Sequence, residues 1–553
     1  MQCLRTEQTT NESISRFRPL EFCGLTNERP SMKTNLLRPN CSGCPLNRRN
    51  FLARGSVAAM GTLGLLSAPD WLAAAATQPK TRIRIVYALH GEKQTGPDWP
   101  NQGFDFKPVM ERTYRELAQR CREFEFVTSL ATGEAEAKKI LAADQAAGGI
   151  DGYLVYQMNC WNRVVQTLAT SGQPVLYADF QFGGSGGFLV YNAAFLRSQA
   201  NNVGFVASSD IKDLEAAVKC FNVVKRGGSV SDFVAATAQA RRQATPKAVR
   251  LASKPDEVKC LSADECLRRF KESKILAVRG QDVPPPSEIM GIQIEHITFA
   301  ELNDAWKAAD KDEARAVADR WTQAASKVEG VSRETLEASA AMYLAEKAVM
   351  KKHGARGITI NCLGGFYGGH IHAYPCLGFH QLNNEALVGG CECDVRSAAT
   401  MLAGTILTQG RPGYISDPVI DTAKRQIIYA HCVAANKAFG PDGPANPFEI
   451  LTHSEDRQGA SVRSLLPVDY MTTTLEFDQD KKEILFHRAQ AVANDPDDRA
   501  CRTKLCAEPV GDLEKLFTQW DHWGWHRVTF YGDLKAPIYA LADAAGWKVV
   551  EEA

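Results

Sequence analysis

Asp394 opens a run, Val395 to Gln409, that reads as a good helix and is closed by Gly410 and Pro412. A carboxylate in that place is either a hard metal ligand presented at a helix N-terminus or an N-cap that accepts backbone N–H bonds, and both readings stay open. His526 lies among His522, Trp523 and Trp525, where an imidazole serves as a ligand or as an aromatic-packed core residue. His370 and His372, at i and i+2 in a glycine-flanked segment, would share a strand face and bind metal, or would merely line a loop. His431, His453 and Glu455 carry side chains suited to a ligand's hydroxyl groups or to a metal, and structural hydrogen bonding explains them equally well. Glu385 and Glu392 are the remaining nearby carboxylates, whereas Cys391-Glu392-Cys393 holds too few thiols for zinc and reads as packing.

These groups need elements to hold them. Strand-like runs at Ile83 to Leu89, Phe124 to Thr128, Gly152 to Tyr156 and Pro174 to Asp179 alternate with helical runs at Pro108 to Phe124, Glu134 to Ala147 and Trp161 to Thr170. Apolar strands alternating with helices predict a parallel sheet covered on both faces, a doubly wound α/β domain over residues 80–250. Gly183-Gly184-Ser185-Gly186-Gly187 follows a strand end, where such sheets bind ligands. Its spacing is that of neither a dinucleotide fingerprint nor a P-loop, and the expectation is a flexible surface loop. A second α/β unit, residues 251–410, has strands at Ile275 to Arg279, Gln293 to Ile297 and Gly357 to Cys362, with the charged stretch Asp310 to Met350 helical. Beyond Arg411-Pro412 turn residues multiply, and runs such as Tyr470 to Phe477 and Glu483 to Phe486 predict an antiparallel β-rich domain over 411–553.

Lys plus Arg equals Asp plus Glu at 64 each, so no global field favours a polyanion, and nucleic acid is not an expected partner. The segment Asn47-Arg48-Arg49-Asn50-Phe51-Leu52, followed by the apolar run Gly55 to Leu66 and the small residues Ala73 to Ala76, resembles the twin-arginine (Tat) signal of bacteria. Residues 1–76 are therefore expected to be a leader, with translation starting at Met32, the Tat translocase as partner during export, and a periplasmic or otherwise exported product. The apolar run is too short to span a bilayer, so no stable membrane insertion is expected after cleavage. Cys41 and Cys44 fall in the removed part. Of the 16 cysteines, Cys501 and Cys506 are close enough in sequence to suspect a bridge, while most others are expected as buried thiols.

Tyr374-Pro375-Cys376-Leu377, Leu382-Asn383-Asn384-Glu385, Cys391-Glu392-Cys393-Asp394 and Ala399-Thr400-Met401-Leu402 resemble the signature of the L-fucose isomerase family and its relatives. Ala430-His431-Cys432, Thr452-His453-Ser454-Glu455, Cys501-Arg502-Thr503 and His526 with Gly532-Asp533 follow in the order the relatives show. The resemblance implies two Rossmann-like domains and a β domain, a homo-oligomer, a monosaccharide or derivative as substrate, and a divalent cation, commonly manganese, in a cleft. It implies aldose–ketose isomerisation through an enediol, with Asp394 as metal ligand and base and His526 as metal ligand. The family's second carboxylate, roughly two dozen residues before the aspartate, falls on Gly368 to His372, where this chain has no acid. Two other functions therefore stand beside the isomerase: a non-catalytic carbohydrate-binding relative, and a metal enzyme in which His370 or His372 replaces the acid.

Overall fold

The first strand, β1 (Thr81–Ala88), sends alternate side chains to opposite faces, and both faces are buried. Ile83, Ile85 and Tyr87 pack with Met110 and Leu117 of the helix Lys107–Arg120, while Val86 and Ala88 share a core with Ala137 and Phe188 of helices on the other side. With β2 (Phe124–Ala131), β3 (Gly152–Gln157), β4 (Val175–Asp179) and β5 (Val203–Val206) it forms a parallel sheet in the order β2-β1-β3-β4-β5. This computed structural model describes residues 80–248, 251–280 and 284–553. The leader segment, Arg48 and Arg49 included, lies outside the described residues. No helix among the described residues is long and apolar enough to cross a membrane.

The glycine-rich segment after β4 corrects the expectation of a surface loop: it is buried and starts the helix Ser185–Arg197. A Cβ on Gly184 would lie 2.2 Å from the Gln157 carbonyl oxygen, so the glycines let this helix approach the end of β3.

The second sheet contains β6 (Lys274–Arg279), β7 (Ser287–Ile289) and β8 (Ile292–Thr298). After β9 (Lys327–Glu329), which pairs elsewhere, it is completed by β10 (Gly357–Ile360) and β11 (Val388–Gly390) in the order β11-β10-β6-β8-β7, with only β7 antiparallel. The charged stretch expected as helical is two helices, Lys311–Ala324 and Arg333–His353, separated by β9, which pairs parallel with a later hairpin. The His370–His372 segment is not a strand; it is loop between the short helix Cys362–Tyr367 and the helix Cys376–Asn384.

The third region is a closed barrel. Its strands are β12 (Tyr414–Asp421) and β13 (Gln426–His431), then, after the β14 (Phe448–Leu451) and β15 (Ser461–Ser464) hairpin, β16 (Met471–Asp478), β17 (Glu483–Asn494), β18 (Thr503–Pro509) and β19 (Arg527–Tyr531). The antiparallel order β16-β19-β12-β13-β18-β17 closes because β17 also pairs with β16; β20 (Lys548–Glu551) adds parallel to β17. Tyr429 of β13 reaches across the ring to the Thr474 hydroxyl of β16, at 3.0 Å, so that polar face fills the interior. A C-terminal helix, Lys535–Ala545, adds to what composition alone reads as β. One apolar core runs through the second sheet and the barrel, another through the first sheet and the barrel. The described residues accordingly form one compact unit.

Candidate metal centre

Barrel register brings two chemically active groups together. β12 pairs antiparallel with β19 with Ser416 opposite Arg527, and one further step sets Asp417 beside His526. β12 also pairs with β13, with Asp417 opposite Ala430, the neighbour of His431. A third group arrives from the second sheet. Beyond β11 the chain turns sharply, with Glu392 and Cys393 at φ of 60° and 53°, backbone that non-glycine residues adopt at a cost. The Cys393 N–H donates to the Ile360 carbonyl, which pins this turn to the end of β10.

The result is a cluster in which one ligand atom each of Glu392, Asp417, His431 and His526 lies within 4.8 Å of all the others. His526 Nε2 is 3.4 Å from Asp417 Oδ1 and 3.7 Å from Glu392 Oε2. His431 Nε2 is 3.8 Å from Glu392 Oε1 and 4.0 Å from Asp417 Oδ2. Both Nε2 atoms are buried without a hydrogen-bond partner, an arrangement that normally demands one.

The two imidazoles differ in what they offer. His526 Nδ1 sits 2.9 Å from Asp394 Oδ2, and donating there leaves the Nε2 lone pair free for a cation. His431 Nδ1 accepts the Cys432 N–H at 3.0 Å, which in the neutral ring puts the proton on Nε2 and makes it a donor. Lone pairs therefore come from two carboxylates and one imidazole, a set suited to a hard divalent cation.

Asp394 is outside this four-group cluster. Its Oδ1 accepts the Arg396 and Ser397 N–H groups, capping the helix Val395–Leu407, and its Oδ2 faces His526 and the Ser397 hydroxyl. Of the two readings the sequence left open, cap or metal ligand, the cap is formed, and the same side chain also partners His526.

The surroundings favour positive charge. Burial opposes a charged His526, yet Glu392, the Asp394 hydrogen bond and Asp417 hold its pKa well above the usual value. Burial also opposes the Asp394 charge, but the contacts with His526 and Ser397 keep its carboxyl below the ordinary range. Glu392 is pushed well up by burial, with His526 opposing and Asp417 adding. Burial lowers His431, with Asp417 opposing.

A narrow cleft adjoins the cluster, and Glu392, His431, His453, Glu455, Tyr367 and Cys501 are among its lining. Glu455 accepts the Tyr367 hydroxyl at 3.0 Å, and burial, partly offset by His453, pushes its pKa up to about 7.

No family model matches the chain. It does have a curated relative. The chain is 26% identical over 259 residues to the sulfoquinovose isomerase of Clostridium sp. (strain MSTE9), a stretch that is 46% of this chain and 57% of that protein. The match thus spans somewhat more than half of that relative's length.

The other sequence candidates lie elsewhere. His370 and His372 are exposed, packed on Phe299 and Trp306 at ring distances of 5.6 and 5.5 Å, and are not in the cleft lining. Glu385 ends the helix Cys376–Asn384 and is held by the Tyr343 hydroxyl at 2.5 Å and Lys347 Nζ at 3.1 Å. Cys501 and Cys506 are free thiols: Cys501 contacts the Ser454 hydroxyl, whereas Cys506 sits opposite Ile428 within the barrel. Sequence reasoning missed Asp417, whose signal was a lone carboxylate between the apolar Ile415 and Val419 of one strand.

Proposed function

We propose that this chain is a metal-dependent sugar isomerase that interconverts the aldose and ketose forms of a monosaccharide or a derivative of one. The observation that carries the reading is the convergence of Glu392, Asp417 and the orphaned His526 Nε2 beside a cleft. The isomerase relative supports it, as does the ordered motif series. So does spacing: Glu392 precedes Asp417 by 25 residues, so the carboxylate missing before Asp394 is found once Asp417 takes the aspartate's place.

In this reading Glu392, Asp417 and His526 hold the cation, with manganese as the expected ion. Bound there, such a cation would supply Lewis-acid polarisation of a carbonyl. The chain's own groups do the rest. Asp394 fixes the His526 ring through Nδ1. His431 presents Nε2–H to a substrate oxygen. Glu455, with its pKa near 7, suits removal of a proton from one sugar carbon and its return to the next, through an enediol.

The same reading takes residues 80–250 and 251–410 as Rossmann-like domains, with a β-rich domain over 411–553, in a homo-oligomer exported by the Tat route. Export rests on Arg48-Arg49. Replacing both with lysine should leave the precursor inside the cell, and a mature product outside the inner membrane would refute it.

The deciding experiment on function is metal analysis of the purified protein, followed by ketose detection after incubation with a panel of neutral and sulfonated aldoses. Stoichiometric divalent metal with turnover of any aldose supports the isomerase. Absence of both refutes it.

A further inference from the structure

His526 is the first residue before β19, at the end of a turn that passes through Gly524 at φ 72° and ψ −177°, a conformation open to glycine alone. Directly after it comes Arg527, whose side chain is fully buried. Its guanidinium gathers that turn: Nη1 donates to the His526 carbonyl at 2.8 Å, the Gly524 carbonyl at 2.9 Å and the Trp523 carbonyl at 3.5 Å. The opposite edge of the same guanidinium meets Glu552, also fully buried, with Nη2 2.8 Å from Oε1 and Nε 3.2 Å from it. The plane lies 3.8 Å from the Trp520 ring centre.

Glu552 is itself anchored. Its Oε2 is 2.9 Å from His487 Nδ1, and His487 Nε2 is 2.5 Å from the Tyr429 hydroxyl, itself reached by Thr474. Its backbone N–H donates to the Phe486 carbonyl. Three barrel strands thereby fix the carboxylate that fixes the guanidinium.

A buried ion pair of this kind contributes little net stability, because both charges lose their water; apolar residues of similar volume fold as well or better. Stability alone therefore does not account for placing the pair here. Its distinguishing feature is the fan of three carbonyls, which an apolar replacement could not hold.

We propose that Glu552, acting through Arg527, is a positioning residue for His526: it holds the main chain of the metal ligand while Asp394 holds its ring. The proposal rests on the metal-binding reading above. Two independent restraints then aim Nε2 at Glu392 and Asp417.

The test is calorimetric titration of the full chain with Mn²⁺ alone, beside thermal melting followed by circular dichroism. The double variant Arg527→Met, Glu552→Met should keep a native spectrum, melt below the wild type because the three carbonyls lose their donor, and bind Mn²⁺ about ten- to a hundredfold more weakly. A native spectrum with an affinity loss smaller than tenfold overturns the proposal. Should the double variant lack a native spectrum, Glu552→Gln is titrated below its own melting point and judged by the same tenfold threshold. A wild-type protein that binds no Mn²⁺ would refute the metal-binding reading itself, a result distinct from any difference between variants.

Discussion

Two turns leave the carboxyl edges of the two parallel sheets and lead into helices, and they are built in opposite ways. After β4, glycines occupy the places where a Cβ would strike the neighbouring strand, and the segment is packing. After β11, Glu392 and Cys393 keep their side chains at positive φ, which stores about 1–3 kcal/mol of strain at each such residue. The glycine-rich turn draws the eye in a sequence, yet the strained turn carries the chemistry-bearing carboxylate. Glycine marks where a side chain must be absent; a left-handed glutamate marks where one is required.

The sharpest way to break this contrast is to neutralise the strained turn. Glu392→Gln and Asp417→Asn should each lower turnover by about a hundredfold or more and release the metal, with melting little changed. Ketose formation and elemental analysis decide it, and a variant that keeps a tenth of wild-type turnover would sink the assignment.

Asp394→Asn separates the two duties of one side chain. Asparagine caps a helix nearly as well as aspartate, so the cap itself should change stability by no more than about 0.5 kcal/mol, and any larger loss reports the His526 contact. Metal affinity should fall about ten- to a hundredfold, because the ring of His526 loses its charged partner. Unchanged affinity by calorimetry would leave Asp394 as a cap alone.

The pH profile tests another group that lines the cleft. Glu455 works as a base only when deprotonated, so kcat/KM should fall about tenfold per pH unit as pH drops below about 7. Glu455→Gln should be slow and should lack that limb; a limb that persists in the variant belongs to another group.

The smallest effect belongs to the glycine turn. Gly184→Ala should destabilise by about 1–3 kcal/mol, read by urea unfolding, because a Cβ there would sit 2.2 Å from the Gln157 oxygen. Metal affinity of the folded fraction should not move, and a loss there would end the division between packing turn and active turn.

Most strands of the two sheets were legible because they are short apolar runs separated by helices, whereas β5, β7 and β11, of only three or four residues each, were not. Closure of the barrel was not legible: it depends on β17 pairing with β16 on one side and β18 on the other, which no periodicity encodes. At the site, His526, His431 and Glu392 were candidates by residue type. Asp417 was passed over because one acid in a strand looks like an ordinary outward position. Its meaning appears only when antiparallel register sets it beside the residue preceding Arg527. For His370 and His372 the sequence left metal site and loop lining open, and they lie in a loop with their rings packed on Phe299 and Trp306.

The four clustered groups come from positions 392, 417, 431 and 526, and the last of them joins only when β19 takes its place between β12 and β16. A nascent chain still lacking that strand has at most three of the four. A cation held at the full strength of the site would thus require β19 to be made and paired, a condition that no local cofactor motif imposes.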